Sequence, residues 1–420
     1  MTGVYSCSAI NIAATSAKDG TMGCFFKGAW AFRMPHPMHQ NRLHYGYPFV
    51  GSRAPEELTS WDFSLRDPFD TLLSEPLLRR AWVFQERFLA PRTVHFTSSQ
   101  IFWECKEGHW CGMFPKEVQF TGELGYIDGF SKSIHQRRDS NMWQYIVEIY
   151  STGMLTYGTD RLVAISGVAG WLQDQNKDEY LAGIWRKDME KQLCWQAVRP
   201  VVGHSIISRP KVYLGPSWSW ASILCGVKFM ETKSTRWRTR TPLIRVLSAH
   251  TILENEDYKF GKVTGGVVRL VVRYLLCGAE YPPSPEDEGG DISNSSGDTI
   301  LDSFGIVWDC PEDPSPRKKL YLLPVNSTCD DSANMTNDSV DNPGISRWRS
   351  IVQREKEPAH YTVDGIILEA TDTSKRAEYR RVRSWTSGDE HIWEKGNDSG
   401  ELLYEEVAES GTKLHVITII

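Results

Sequence analysis

The spacing of apolar residues changes along this chain from a helical period to a strand period. Between Asp70 and Pro91, apolar residues recur at three- and four-residue intervals, which predicts an amphipathic helix. Ser74 is placed to cap the start of this helix, Pro76 suits its first turn, and Pro91 ends it. Gln85 falls in the middle of the apolar stripe, so its amide group requires hydrogen-bond partners inside the protein.

Strands and further helices are predicted elsewhere from the same kind of pattern. Alternating apolar residues predict a strand at 10–14 and a hairpin formed by residues 93–97 and 101–105. Helical spacing predicts a helical middle section, with helices at 142–150, 160–172 and 183–195. From residue 216 onward the period is two, which predicts strands at 244–253, 265–277, 304–308, 320–325, 363–368 and 414–419.

These patterns predict a mixed α+β fold in consecutive regions. We expect a first region at 1–115, a helical region at 116–215 and a β-rich region at 216–420. Within the β-rich region, residues 282–299 and 327–342 consist largely of Pro, Ser, Asp, Asn, Glu and Gly, and we predict disordered loops there. A chain of 420 residues is long enough for about two or three domains.

Composition and charge narrow the classes of function. The chain has 47 basic and 53 acidic residues, a net charge of −6, so no overall field draws it to nucleic acid or to anionic lipid. Residues 265–279 form the most apolar stretch, but Arg269 and Arg273 interrupt it and it is shorter than the roughly 20 residues that cross a bilayer. We therefore predict no membrane span, and the N-terminal residues show no secretory signal. Nine scattered cysteines indicate reduced thiols, which fits a cytoplasmic protein.

Sequence motifs for several common activities are missing. The chain has no G-x-x-x-x-G-K-[ST] phosphate loop, no G-x-G-x-x-G, no H-E-x-x-H and no G-x-S-x-G. Cys105, His109 and Cys111 are residue types that bind zinc, but a fourth ligand at the usual spacing is missing. A thiol-containing core with a loop histidine is the favoured interpretation, so we assign no metal.

Arginines and tryptophans form two further groups of candidates. The arginines cluster at Arg236, Arg238 and Arg240 around Trp237, and again at Arg380, Arg381 and Arg383. On a strand, alternate arginines share a face, where they either contact phosphates or protect an exposed sheet edge, and edge protection is favoured. Trp218 and Trp220 lie in the motif at 216–222, and alternating indoles are more typical of packing anchors than of a binding cage.

Glu86 is the carboxylate that best supports a chemical hypothesis. It lies four residues after Trp82 at the margin of the apolar stripe, where its ionised form loses part of its hydration. Such a carboxylate suits acid–base chemistry or the binding of a ribose hydroxyl. The alternative is a surface glutamate paired with Arg79 or Arg87, and the pattern alone favours this alternative.

Residues 78–92 resemble the W-x-x-Q-E block of fungal heterokaryon-incompatibility (HET) domains. The block reads LRRAWVFQERFLAPR, and VHF and QIFWEC follow it. Residues 4–6, 12–17 and 19–26 are similar to the preceding strand and loop of that domain. Similarity to the region that commonly follows it extends over 155–167, 180–185 and 216–221, and more faintly over 363–368.

The resemblance implies a fungal, intracellular protein of non-self recognition and programmed cell death. HET domains are regarded as distant relatives of TIR domains, which have a flavodoxin-like α/β sheet and in some members cleave NAD at its nicotinamide glycosidic bond. TIR enzymes carry a Trp and, four residues later, a catalytic Glu. By resemblance, Glu86 is then the catalytic candidate, NAD is the substrate and no separate cofactor is needed. The other motif positions are Arg80, Trp82, Gln85, Trp103, Trp218 and Trp220.

One departure from the family pattern leaves the function open. The family usually begins the domain with a Tyr-x-x-Leu-Ser-Tyr-x-Trp-Gly strand region, and none precedes Met1. We therefore expect the N-terminal part of the HET domain, and with it most walls of an NAD pocket, to be missing. The alternatives are an NAD-cleaving effector, a non-enzymatic recognition or scaffold protein with protein partners or self-association, and an inactive truncated remnant. Nucleic acid is not an expected partner.

Overall fold

A computed structural model describes the chain in separate stretches. These are residues 2–26, 72–112, 141–198, 210–230, 238–272, 274–277, 292–293, 299–301, 306–309, 320–330, 360–371, 377–388, 405–409 and 412–420. The chain divides into two compact units: the first unit comprises residues 1–142 and 153–155, and the second comprises residues 143–152 and 156–420. Helices and strands are mixed along the chain, which confirms the predicted α+β class.

A four-stranded sheet forms the centre of the first unit. Its strands, in spatial order, are β1 (Asn11–Ala13), β2 (Arg92–Phe96), β3 (Ile101–Cys105) and β4 (Gly108–Cys111). β1 runs parallel to β2, whereas β2, β3 and β4 are antiparallel neighbours. Helix α1 (Thr2–Ser6) precedes β1, and helix α2 (Ala81–Leu89) lies between β1 and β2 in the chain.

The hairpin predicted at 93–97 and 101–105 is confirmed as β2 and β3. Thr97 closes its turn, because its hydroxyl donates to the carbonyl of Gln100 at 2.7 Å and accepts from the Gln100 amide at 3.1 Å. Such side-chain bonds satisfy turn groups that the strand ladder leaves unpaired. Alternation along the two strands then places His95 and Glu104 on the buried side of the sheet.

The start of helix α2 differs from the prediction, since the helix begins at Ala81 and not after Ser74. Arg80 occupies the N-cap position with an extended backbone (φ −84°, ψ 125°) and no side-chain cap. The reason is a backbone pairing with Met154. The Ala81 amide donates to the Met154 carbonyl at 2.9 Å, and the Met154 amide donates to the Arg79 carbonyl at 2.6 Å. This pairing takes over part of the role of a capping side chain.

The end of helix α2 agrees with the prediction. The helix ends at Leu89, and the chain becomes extended one residue before Pro91. Gln85 is buried, as its place in the apolar stripe required, whereas Trp82 is only half-buried. The predicted start of the helix at Asp70 lies outside the described residues.

Helices and short turns form the first part of the second unit. Helix α3 (Met142–Ser151) confirms the helix predicted at 142–150, although its first residue belongs to the first unit. The helix predicted at 160–172 is replaced in part by two 3₁₀ turns at Gly158–Asp160 and Val163–Ile165, which helix α4 (Ser166–Asn176) follows.

The helix predicted at 183–195 is wrong. Strand β5 (Tyr180–Leu181) pairs there with β6 (Ile184–Trp185), and helix α5 (Met189–Gln192) and strand β7 (Trp195–Val198) follow. Ala182 and Gly183 close the β5–β6 hairpin with positive φ angles of 47° and 95°. Because the side chains of residues 180–185 are all buried, their apolar spacing reflects burial on every side and not one face of a helix.

A large, mainly antiparallel sheet forms the β-rich part of the second unit. Its central strands, in spatial order, are β10 (Ile244–Leu253), β11 (Val263–Val272), β20 (Thr412–Ile419), β18 (Glu378–Ser387), β17 (His360–Ala370), β16 (Leu320–Asp330) and β12 (Leu276–Cys277). Three strands add to this path: β9 (Arg238–Pro242) on β16, β15 (Ile306–Trp308) on β18 and β19 (Glu405–Glu409) on β20. Separate two-stranded sheets pair β7 with β8 (Gly226–Phe229), and β13 (Ile292–Ser293) with β14 (Thr299–Leu301).

These strands confirm the period-two prediction for most of the second half. The strand predicted at 265–277 is corrected, because β11 ends at Val272 and Leu276–Cys277 form a separate strand, β12, paired with β16. The predicted loops are corrected in part, and Ile292–Ser293 within the loop predicted at 282–299 form β13. β16 continues through Asp330, so the first four residues of the loop predicted at 327–342 are part of a strand. The rest of that loop, and most of the loop predicted at 282–299, lie outside the described residues. An apolar core cluster of the sheet comprises Leu276, Leu320, Leu322, Val363, Ile367, Val382 and Trp385.

Candidate functional site

Glu86 lies on helix α2 as a half-buried carboxylate. Burial raises its pKa, while a hydrogen bond from the Tyr5 hydroxyl and the charge of Arg80 act in the opposite direction. The pKa of Tyr5, on helix α1, is raised by burial and by the negative charge of Glu86. The phenol therefore stays protonated near pH 7, and it is the donor type that favours the ionised carboxylate of Glu86.

The interpretation of Glu86 as one half of a surface ion pair is wrong for the described residues. Arg79 donates from Nε to the carbonyl of Ser74 at 2.8 Å. Arg87 is buried and donates from Nε to the carboxylate of Glu104 at 2.6 Å. Both arginines thus have other partners, and within the described ranges Glu86 forms no ion pair.

A buried polar network lies on the other side of helix α2 and links it to the sheet. Arg87 makes a two-point contact with Glu104, whose Oε2 is 3.1 Å from Nε2 of His95. Nδ1 of His95 is 3.0 Å from the hydroxyl of Thr15, which follows β1 by two residues. Burial alone would raise the pKa of Glu104, but the charges and hydrogen bonds of Arg87 and His95 hold it far below its usual range.

The order hydroxyl, imidazole, carboxylate is that of a nucleophile, base and orienting acid. These groups are too deeply buried for a substrate to reach them, so this chemistry is ruled out. Thr15 is fully buried and its hydroxyl also donates to the carbonyl of Ala13 at 3.2 Å. His95 is fully buried as well. The network therefore anchors α2 to three strands and leaves Glu86, adjacent to Arg87, on the less buried side of the helix.

Sequence reasoning missed this network. Its members come from separate segments, and each is ordinary by itself. The sequence did contain one sign of the network, namely two polar residues at inward positions of the hairpin. His95 and Glu104 occupy these positions, whereas the outward positions are Val94 and Trp103. A buried charge requires a partner, so two polar inward positions on paired strands predict a contact.

The position of Glu86 relative to the parallel strands bears on its function. Ligands of parallel α/β sheets bind beyond the carboxyl ends of the strands. At that end, the Ser98 amide donates to Oγ of Ser16 at 2.7 Å, and Ser16 donates to Glu75 at 2.6 Å. Glu86 lies instead near the end of α2, three residues before the helix ends and leads into the start of β2. It is therefore displaced from the usual crevice.

The other candidates of the first unit have separate environments. Arg80 is exposed at the start of α2, and Gln85 is buried in the same helix. Trp103 is half-buried on β3, where it pairs with Val94 on β2 and Trp110 on β4. The charge of Arg80 thus acts on the Glu86 carboxylate. Trp103 lies on the face of the sheet opposite to His95 and Glu104.

Trp218 and Trp220 are packing anchors, as predicted, and both are fully buried. The carbonyl of Gly183 accepts from the indole N–H of Trp143 at 2.8 Å and from that of Trp220 at 2.7 Å. The carbonyl of Trp218 accepts from the indole of Trp195 at 3.0 Å. The motifs at 180–185 and 216–221, distant in sequence, are therefore parts of one aromatic core.

Arg381 and Arg383 neither guard a sheet edge nor meet phosphates, because both are buried on the interior strand β18. Arg381 contacts Asp309 at 3.1 Å, donates to the carbonyl of Leu193 at 2.7 Å and stacks 3.5 Å from the centre of the Trp195 ring. Their role is internal pairing. Arg380 is half-buried and contacts Glu369 at 3.3 Å. Arg238 and Arg240 lie on β9, and Arg236 and Trp237 lie outside the described residues.

The described residues contain neither a metal-binding cluster nor a membrane-spanning helix. Within those ranges, no group of three or more His, Cys, Asp and Glu is placed to hold a metal ion. Six cysteines there are free thiols: Cys7, Cys24, Cys105, Cys111, Cys194 and Cys225. No described helix has the length and apolar character needed to cross a membrane.

Comparison with known proteins gave no match: no protein-family model, no curated protein and no solved structure is significantly similar to this chain. The class that the described residues define is an α+β protein of two compact units. The half-buried Glu86 is the candidate site of its first unit.

Proposed function

We propose that this chain is a HET-type protein of fungal non-self recognition and programmed cell death, acting in the cytoplasm, with its effector site at Glu86. Two features support the assignment. The motif block at 78–105 forms helix α2 and the β2–β3 hairpin, and β1 runs parallel to β2, as in part of a TIR-like or flavodoxin-like sheet. The single observation that carries the site is the half-buried Glu86 carboxylate, whose pKa responds to the Tyr5 hydroxyl and which is free of an ion pair within the described residues.

The reaction that suits this carboxylate is cleavage of NAD at the nicotinamide glycosidic bond. The carbon–nitrogen bond breaks with its electron pair leaving on nicotinamide, and the ribose gains oxocarbenium character. A carboxylate that has lost part of its hydration stabilises this positive charge more strongly than one in water. Water then adds to the ribose and releases a proton, which gives ADP-ribose and nicotinamide.

Expression in fungal cells tests this proposal. The wild-type chain should lower cellular NAD and arrest growth, and Glu86→Gln should abolish both effects at equal protein level. Glu107→Gln is the matched control, because Glu107 is an exposed carboxylate in the turn between β3 and β4. Growth arrest with unchanged NAD in both the wild type and Glu86→Gln would reject the enzymatic site.

The second candidate is recognition without catalysis, and a feature of the same sheet favours it. Ile12, Val94, Trp103 and Trp110 pair in one row across the four strands. Ile12 is 63 % exposed and the other three are half-buried, so an apolar surface faces outward. The displacement of Glu86 from the carboxyl ends of β1 and β2 also favours this candidate.

The same cells distinguish recognition from an inactive remnant. Growth arrest that survives Glu86→Gln but is lost in Ile12→Asp would identify recognition through the sheet. Unchanged growth with the full-length wild-type chain at normal abundance would identify a remnant without signalling activity.

A further inference from the structure

Arg161, in the second unit, is a buried cation without a carboxylate partner among the described residues. Its exposed fraction is 3 %. Nη2 donates to the carbonyl of Cys225 at 2.6 Å, and the guanidinium carbon lies 5.1 Å from the centre of the Trp220 ring. Nε is buried and has no hydrogen-bond partner among the described residues.

Two other buried arginines of the protein each have a carboxylate partner. Arg87 is matched by Glu104, and Arg381 by Asp309. An unmatched buried charge costs several kcal/mol as an order of magnitude, and a carbonyl with an aromatic ring returns only part of that cost. The charge of Arg161 is thus the one among these three that lacks a built-in counter-ion.

The groups that face Arg161 do not supply the missing charge. Burial raises the pKa of Tyr150 and raises that of Cys225 to about 11, against the opposing effect of the Arg161 charge, so both are neutral near pH 7. Asp160 is half-buried and has other interactions, and its charge acts on Tyr150. Asp309 acts on Cys225, but it is paired with Arg381.

We propose that Arg161 binds the oxyanion group of a small ligand, a phosphate or a carboxylate, with Nε as the free donor and Trp220 stacked against the guanidinium. A guanidinium offers two parallel donors to such a group, and its aromatic support fixes their plane. The site joins the motif at 159–161 to the motif at 216–221, two segments that Glu86 chemistry does not use.

Leu224 is the exposed residue next to the group that holds Arg161. This side chain is 46 % exposed and precedes Cys225, whose carbonyl holds the guanidinium. Leu224 also lies against the backbone of Gly158, where an added Cβ would be 2.8 Å from its Cδ1 atom. Leu224 and the 157–160 segment therefore lie next to the residues that hold the buried charge, and in this proposal a small anion enters by rotation of this exposed leucine side chain.

Calorimetric titration of the full chain with sodium phosphate, and separately with sodium acetate, tests the site at constant ionic strength. We expect saturable binding of one anion per chain, and the preferred anion distinguishes a phosphate ligand from a carboxylate ligand. Arg161→Met should weaken that binding by at least about tenfold, as expected for loss of a charged hydrogen bond. Arg186→Met is the matched control, because Arg186 is a half-buried arginine of the same unit that donates to the carbonyl of Val246 at 3.0 Å.

A second variant keeps the test decisive if Arg161→Met does not fold. Leu224→Ala removes only a partly exposed side chain, and it should speed association of the preferred anion in stopped-flow measurements. Absence of saturable binding of both anions by the wild type would overturn the proposal. Equal binding by folded Arg161→Met, or an unchanged association rate in Leu224→Ala, would do the same. None of these results depends on Glu86.

Discussion

Among single residues of the first unit, the buried charged side chains have the largest expected effect on stability. Glu104 lies between Arg87 and His95 with almost no exposure, so its contribution depends on both partners remaining in place. Replacing a whole buried pair by apolar groups is often harmless, whereas removing one partner leaves an uncompensated charge. Substitutions at Glu104 should therefore be far more damaging than substitutions at exposed carboxylates of the same sheet.

Glu104→Gln should lower the free energy of unfolding by about 3–5 kcal/mol, because Arg87 is left buried without its anion. Glu107→Gln should change it by less than about 0.5 kcal/mol, since Glu107 is exposed. Urea unfolding followed by circular dichroism measures both. Equal, small losses in the two variants would contradict the buried network.

The depressed pKa of Glu104 also predicts a dependence on pH. A carboxyl group with a lower pKa in the folded state contributes stability above its unfolded pKa of about 4.3 and loses it as pH falls towards the folded value. The wild type should therefore lose stability below about pH 4.3 more steeply than Glu104→Gln. Parallel pH profiles for the two proteins, measured by urea unfolding, would show that Glu104 is not held ionised.

Tyr5→Phe tests the donor at Glu86 and removes only one hydroxyl. Because the Tyr5 bond favours the ionised carboxylate, its loss should raise the pKa of Glu86 further above the ordinary value. Carboxyl-carbon NMR titration of Glu86 measures the change. A Glu86 pKa that stays the same in Tyr5→Phe would show that the two side chains do not interact.

Among the helices and strands, hydrophobic periodicity predicted those elements whose formation depends on contacts between residues close in sequence. The β2–β3 hairpin and most strands of the second half follow a period of two and agree with the prediction, whereas the strand predicted at 265–277 divides into β11 and β12. Helix α2 began later than predicted because Met154, distant in sequence, pairs with its first residues. The helix predicted at 183–195 was wrong because side chains that are buried on every side show the same apolar spacing as one face of an amphipathic helix.

Gly183→Ala tests the β5–β6 hairpin. Gly183 has a φ of 95°, and an added Cβ would lie 2.7 Å from the indole nitrogen of Trp220. We expect a loss of about 1–3 kcal/mol from backbone strain, with a further loss from the clash. Gly215→Ala is the control, since its nearest atoms would be 3.7 Å from the new Cβ and its φ is not positive. Equal unfolding free energies for the two variants would contradict the hairpin geometry.

For the molecule as a whole, the sequence predicted candidate site residues better than it predicted the residues that contact them. Glu86 was identified as half-desolvated from its place at the margin of an apolar stripe, and it is half-buried. Its contact with Tyr5, the network at Glu104 and the pairing of Arg161 with Trp220 all join segments far apart in the chain. Periodicity describes one segment at a time, so such contacts require the fold.

Nicotinamide release from NAD by the purified full chain is the decisive assay for the proposed role of Glu86. We expect release by the wild type, a loss of at least about 100-fold in Glu86→Gln, and wild-type activity in Glu107→Gln. Release that persists in Glu86→Gln would contradict the assignment of Glu86. A folded wild-type chain that releases no nicotinamide would reject NAD cleavage and leave recognition through the sheet or an inactive remnant, which growth of expressing cells distinguishes.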